Sequence, residues 1–406
     1  MRSSRRLERI PPYLFAELER KISAKRAAGI DVISLGIGDP DTPTYAPIVA
    51  AGHRALDDPS THQYPSNRGR QEFREAVSAF YSRRFGVELD PDTEVMPAIG
   101  AKECIFNLNL AFLDPGDIAL AADPGYPVYT GGPIMAGGEP VLMPLVPELG
   151  FVPDLDAIAP EHLERARLMF INYPNNPTGA IVPDGFFERV IELAAQHDIL
   201  VVHDNAYSEI TFDGYIAPSF LATPGAKEVG VEVFSLSKGY NMTGWRCAAI
   251  AGNAEAIRTY WRLKSNIDSG NFEAVQLAGA AALQPEVDAE VRAMSEVYRR
   301  RRDLVCGALA QAGVDVSPPK GTIYIWAPIP EGFESSAAYC EHVLERTAVV
   351  ISPGGAYGAS GEGFFRISLT TPEDRLLEAV KRIRQLNGSS GSGLPSQACS
   401  EAGTAA

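Results

Sequence analysis

Cysteine is scarce in this sequence: 406 residues hold five, Cys104, Cys247, Cys306, Cys340 and Cys399, an odd number with no CxxC spacing. That usage argues against a disulfide framework and suits reduced thiols in a core, with one in the tail, in a cytosolic protein. Long hydrophobic runs are missing too, and no window reaches the ~18 apolar residues needed to span a bilayer. The N-terminus, Met1 to Arg9, is basic and contains Arg5-Arg6, yet no apolar stretch follows because Glu17, Glu19, Arg20 and Lys21 interrupt it, so a signal peptide is not expected. Positive charge is in deficit, with 36 Lys+Arg against 51 Asp+Glu and a net charge of −15. Nucleic acid and anionic membranes demand basic surface, so neither is expected as the main partner. A locally basic pocket would still admit small anions.

The length exceeds what one ordinary core encloses and fits one large unit with a smaller companion. Hydrophobic content of 45% and charged content of 21% are those of a soluble globular chain. The stretch around which the rest is organised is Ser235-Leu-Ser-Lys-Gly-Tyr-Asn-Met-Thr-Gly-Trp-Arg246. It follows Val231 to Phe234, which reads as a buried strand, so Ser235, Ser237 and Lys238 fall at a strand's carboxyl end, where open α/β sheets bind ligands. Two small hydroxyls, a lysine and an arginine suit one ligand that carries an aldehyde and a phosphate. The amine condenses with the aldehyde as a Schiff base, while the hydroxyls and the guanidinium fork hold the phosphate. Pyridoxal phosphate (PLP) is that ligand. A single lysine is more often a solvated surface charge; among small residues at the end of an apolar strand, that reading weakens.

Ser-Leu-Ser-Lys at 235–238 followed by Gly-Trp-Arg at 244–246 resembles the lysine signature of the class I/II aminotransferases, PLP enzymes of fold type I. Within them the chain is most similar to the LL-diaminopimelate aminotransferase group. Further motifs, in the family's order, extend the resemblance from Pro11 to Leu386. Tyr13, opening an amphipathic helix that runs to Ala28, corresponds to an aromatic of an arm folded over the site, and Gly38 to the residue against the substrate carboxylate. Tyr64, in a turn-rich loop, corresponds to a residue that crosses a dimer interface to the partner's cofactor phosphate, which implies a homodimer. Val95 to Ile99, Gly100 and the helix from Ala101 form an anion cradle of free N–H groups and positive helix dipole. Many relatives carry Ser or Thr where Ala101 stands, so one phosphate hydrogen bond is expected to be missing, with Lys102 compensating or binding a substrate's distal acid. Tyr126 is the expected stacking partner of the pyridine ring. Asn176, in Asn-Pro-Thr-Gly, and Tyr207 are the expected partners of its phenolic oxygen. The apolar strand Ile199 to Val202 delivers Asp204, a carboxylate costly to bury unless paired. Its implied partner is the protonated ring nitrogen. His203 reads as a satisfied strand-end histidine. Asn271 is a candidate for lining the neighbouring subunit's pocket, and Arg366 for clamping the substrate α-carboxylate. No metal is expected.

The fold class implied is α/β, with a large domain built on a mainly parallel sheet flanked by helices and a smaller α+β domain. The expected divisions are 1–44 as arm and part of the small domain, 45–285 as PLP-binding domain, 286–387 as C-terminal domain and 388–406 as a Gly/Ser/Ala/Pro-rich disordered tail. The run Arg299 to Arg302 reads as a solvated helix face. The implied activity moves an amino group from an amino acid (LL-2,6-diaminopimelate, aspartate or similar) to a 2-oxo acid such as 2-oxoglutarate, with ping-pong kinetics. Because β- or γ-elimination or replacement uses the same lysine and the same ring, the cofactor motifs alone leave it open. A regulator carrying this fold would add a DNA-binding segment for which no residues are spare.

Overall fold

The computed structural model describes residues 2–10 and 14–388. Tyr13 lies outside the described residues, and so does the expected tail, apart from Gly388 at the end of the last helix. The chain first forms a short strand, β1 (Ile33–Ser34), and then the strands of a central sheet: β2 (Val95–Ala98), β3 (Ile118–Asp123), β4 (Glu139–Pro144), β5 (Ala166–Ile171), β6 (Leu200–Asn205), β7 (Gly230–Ser235) and β8 (Ala248–Gly252). Their order across the sheet is β2-β8-β7-β6-β5-β3-β4. From β4 to β7 the pairing is parallel, whereas β8 runs antiparallel to both β7 and β2.

Period-2 alternation explains why this sheet is covered on both faces. Met169 and Ile171 of β5 enter one hydrophobic cluster with Leu120, Val201 and Phe234, while Leu168 and Phe170 enter another with Ala121, Val202 and Val233. β6 runs three residues beyond the apolar stretch legible in the sequence. His203 and Asn205 stay in the ladder because a buried polar network receives them: Glu232 accepts from His203 Nδ1 at 2.8 Å, Asn205 Nδ2 at 2.7 Å and Tyr81 Oη at 2.8 Å. The intervening Asp204 therefore points to the opposite face.

A third hydrophobic cluster gathers the long helix Asp288–Gln311, the helix Ser336–Thr347 and a small sheet. A two-residue strand β10 (Val349–Val350) pairs in parallel with β1, so the N-terminal segment joins the C-terminal part. β9 (Tyr324–Pro328), β11 (Ser352–Pro353) and β12 (Phe364–Ser368) form an antiparallel sheet in the order β11-β12-β9. The loop after β11 docks on the end of β3, where Ser360 donates to Asp123 Oδ2 from its amide at 3.1 Å and from its hydroxyl at 2.9 Å.

The basic run on the long helix departs from expectation. Arg301 and Arg302 are buried rather than solvated. Asp41 grips Arg301 through two bonds of 2.8 and 2.9 Å, and Arg302 reaches Asp213, Asp303 and the Pro319 carbonyl. Asp303 is adjacent, but Asp41 and Asp213 are distant in sequence, so local composition does not reveal the pairing that allows burial.

Candidate active site

The carboxyl ends of β2, β3, β5, β6 and β7 converge on a cavity of about 360 Å³, the position at which open α/β sheets take ligands. Its anion end is assembled from three loops. After β2 the backbone turns through Gly100, at φ 79°, directly into the helix Ala101–Phe112, whose first amides have no intrahelical acceptor. Ser235 caps the short helix Leu236–Gly239, its Oγ accepting from the Ser237 amide at 3.2 Å. Arg246 adopts a left-handed conformation at φ 54° just before β8, with Nη1 donating to the Thr243 carbonyl at 2.8 Å. Ala101, Lys102, Ser235, Ser237 and Arg246 all line the cavity. Burial, together with the Arg246 charge, lowers the Lys102 pKa.

A Cβ on Gly100 would stand 2.0 Å from Arg246 Nη2. Gly100→Ala is therefore expected to displace the guanidinium as well as strain the left-handed backbone. PLP affinity should fall by at least about tenfold, the value of one charge-assisted hydrogen bond. Equilibrium dialysis of the variant checks this, and unchanged affinity would show that the arginine has room to spare.

Lys238 is half-buried, and its Nζ donates to the Gly38 carbonyl. Gly38 must lack a side chain, since a Cβ there would lie 2.1 Å from Tyr324 Oη. Asp204 enters from β6. Its Oδ2 accepts from Tyr129 Oη at 2.8 Å, whereas its Oδ1 is buried with no partner among the described residues. Burial pushes its pKa up to about 6, against the opposing pull of the Tyr129 hydrogen bond and of His203. Tyr126 forms another wall, its ring 5.6 Å from Lys102 Nζ.

On the far side Arg366, from β12, donates to Asn176 Oδ1 and to the Gly36 carbonyl, both at 2.8 Å. Its guanidinium carbon lies 3.9 Å from the Tyr324 ring centre and 4.7 Å from that of Tyr357. Tyr207 Oη donates to Tyr324 Oη at 3.4 Å, and the two phenols shift in opposite directions. Burial raises Tyr207 well above the ordinary range. Burial would raise Tyr324 as well, but the Arg366 and Lys238 cations overcome it and lower that phenol.

Two candidates sit apart from this cavity. Tyr64 is 89% exposed, so it has no place in its own chain's site. Asn271 is buried behind the cradle, where its Nδ2 donates to the Ala98 carbonyl at 2.8 Å, and within this chain it braces the turn before Gly100. Residues that sequence reasoning passed over are also present. Tyr129, Tyr324, Tyr357 and Asn172 each touch the cavity or a residue in it. Only Tyr129 had a legible signal, since it stands three residues after Tyr126, in the first turn of the helix Val128–Ala136 that follows.

A phosphate, an aldehyde and a cationic ring nitrogen together match this donor set, and Asp204 Oδ1, without a partner among the described residues, fits the last of them. The family model for aminotransferase class I and II matches residues 30–383. The chain belongs to that family. The aminotransferase is 55% identical to the LL-diaminopimelate aminotransferase of Desulforudis audaxviator, over 94% of this chain and 97% of that one. It is 51% identical to the enzyme of the same name from Moorella thermoacetica, over 96% and 99%. Among solved structures, substrate-bound BacF from Bacillus subtilis superposes with a TM-score of 0.91 at 38% identity, covering 95% of this chain and 98% of that one. A single mutant of Thermus thermophilus aspartate aminotransferase does so at 0.88 and 30%, covering 95% and 100%. The fold is fold type I, PLP is the cofactor and the reaction is amino transfer; elimination finds no support among these relatives.

The raised Asp204 pKa has a consequence for the aminotransferase without cofactor. A folded-state value above the unfolded one favours the protonated acid, so stability is fully present below about pH 4 and is lost as pH climbs through about 6. Two units correspond to about 3 kcal/mol. Asp204→Asn is therefore expected to make the cofactor-free protein more stable at pH 7 by up to about that amount, with the difference vanishing near pH 4. Urea midpoints measured across this range decide it; an Asn variant no more stable at neutral pH would contradict the argument.

Proposed function

We propose that this aminotransferase takes its amino group from LL-2,6-diaminopimelate and delivers it to 2-oxoglutarate. The observation that carries the reading is the meeting, in one cavity, of the Lys238 amine, the unpartnered Asp204 Oδ1 and the Arg366 fork. Two curated relatives bearing that substrate in their names support the choice of donor. Such a donor has a second amino-acid end, and Lys102, half-buried in the cavity wall, suits its distal carboxylate.

When bound, PLP supplies an aldehyde that captures amines and a ring that acidifies the substrate Cα–H. Lys238 Nζ, once neutral, would be the base that takes the substrate Cα proton and later returns it. Asp204 Oδ1 would accept from the ring nitrogen and keep its proton in place. Asn176 and, on turning its O–H away from Tyr324, Tyr207 would donate to the phenolic oxygen, and Tyr126 would wall the ring face. The Ala101 and Lys102 amides, Ser235, Ser237 and Arg246 would hold the phosphate. Arg366, whose Nε has no partner among the described residues, holds the α-carboxylate against Gly38.

The same proposal takes residues 1–44 as an N-terminal arm and part of the small domain, 45–285 as the PLP-binding domain and 286–387 as the small C-terminal domain. It makes the active unit a cytoplasmic homodimer, with the exposed Tyr64 entering the partner's site; the buried state of Cys104, Cys247, Cys306 and Cys340 is in keeping with a reducing compartment. A panel of amino donors, each paired with 2-oxoglutarate, tests the substrate. LL-2,6-diaminopimelate is expected to give the highest kcat/KM. Equal turnover of aspartate or an aromatic amino acid would refute the donor, and release of a 2-oxo acid with no acceptor present would refute amino transfer itself.

A further inference from the structure

We propose that Tyr129 is a positioning residue of the aminotransferase, anchoring Asp204 through Oδ2 so that Oδ1 is left to face the cofactor's ring nitrogen. The inference rests on the assignment of Asp204 to that nitrogen. A lone carboxylate in an apolar wall has two ways to fail: it can take up a proton, or it can rotate and offer the wrong oxygen. The Tyr129 hydroxyl, donating at 2.8 Å, acts against both. A donated hydrogen bond favours the ionised acid, and occupation of Oδ2 fixes the side-chain torsion.

The phenol is suited to this because its ring is held on its faces and edges. It stacks on Phe170 with centroids 5.4 Å apart and planes 8° from parallel. Tyr126 meets it edge-on at 6.0 Å and 83°. Only 1% of its surface is exposed, so water does not compete for the hydroxyl. From the opposite direction Asn172 Nδ2 donates to the Asp204 carbonyl at 2.7 Å, which secures the backbone of the same residue. Asp204 is thus tied at its carbonyl and at one carboxylate oxygen, and the remaining oxygen alone is without a partner among the described residues. Tyr126 and Tyr129, three apart, divide the work: one walls the ring's face, the other steadies the acid at its edge.

The test compares Tyr129→Phe, Tyr129→His and Asp204→Asn as holoenzymes. The readouts are kcat, KM for the amino donor, and the ¹⁵N chemical shift of the ring nitrogen in protein loaded with ¹⁵N-labelled PLP. The Phe variant is expected to lose about tenfold to a hundredfold in kcat, the value of one hydrogen bond to a buried charge, with little change in KM. Its ¹⁵N signal should move towards that of an unprotonated nitrogen. The His variant, which keeps a donor, is expected to recover part of both. A Phe variant with wild-type kcat and ¹⁵N shift, beside an Asn variant that has lost both, would overturn the role of Tyr129 alone. A loss of kcat with an unmoved ¹⁵N shift would also overturn it, because damaged packing explains that pattern. If Asp204→Asn itself leaves kcat and shift intact, the assignment of Asp204 falls and this inference with it. Should the Phe variant not fold, the His variant against wild type decides by the same two readouts.

Discussion

Lys238→Ala is expected to abolish turnover, with kcat falling by at least about 10⁴-fold, because one atom is proposed to serve both as covalent anchor and as proton carrier. The absorption of the lysine-bound cofactor is expected to vanish with it. Folding should hardly notice. The side chain is half-buried, and among the described residues it makes one hydrogen bond, to the Gly38 carbonyl, so its removal costs about 1 kcal/mol. Lys238→Arg gives the sharper control, since it keeps positive charge at the strand end but lacks an amine able to condense with an aldehyde. If charge alone mattered, Arg would rescue; the expected result is that it does not. Activity above about one hundredth of wild type in either variant, measured at saturating donor, would mean that the proton moves through another group.

Why this lysine was legible, and other parts of the site were not, comes down to which interactions are local in sequence. Ser235, Ser237, Lys238 and Arg246 lie on one strand end and the loop after it, so their common destination follows from the position of β7. Asp204 was legible for a similar reason, although β6 continues past the expected stop at Val202. The residues that prolong it, His203 and Asn205, depend on Glu232 of the adjacent strand for their bonds. No reading of residues 199–205 alone supplies that partner. The burial of Arg301 and Arg302 was hidden likewise, since Asp41 and Asp213 are far along the chain. Tyr324 and Tyr357 reach the cavity from β9 and from the loop after β11, and their value lies in flanking Arg366, a relation only tertiary structure creates. Asn271 illustrates the converse. The resemblance pointed to the neighbouring subunit's pocket, and nothing in residues 264–271 alone shows that within this chain its amide donates to the Ala98 carbonyl.

Arg366→Lys is expected to raise KM for both the amino donor and the 2-oxo acid, and to lower kcat/KM for each by about 10²- to 10³-fold. That corresponds to about 3–4 kcal/mol, within the range of about 2–5 kcal/mol for truncating one partner of a buried, hydrogen-bonded charge pair. Both substrates carry the α-carboxylate that the arginine is proposed to hold, so both half-reactions should suffer alike, which separates this residue from one that reads the distal end of the donor. The substitution keeps the charge but not the geometry. A guanidinium fork meets Asn176 Oδ1 and the Gly36 carbonyl together while its carbon sits over the Tyr324 and Tyr357 rings. An ammonium has three donors about a point and no plane to stack. Cofactor absorption should be preserved, because Lys238 and the phosphate cradle are untouched. The Tyr324 phenol should titrate higher in Arg366→Met than in the parent, since Arg366 is the leading cation holding it down. With Lys at 366 a charge remains nearby, and the rise should be smaller. KM values within about threefold of wild type for both substrates would remove the carboxylate from this side chain and leave Arg366 as a brace between β12 and the Asn176 loop.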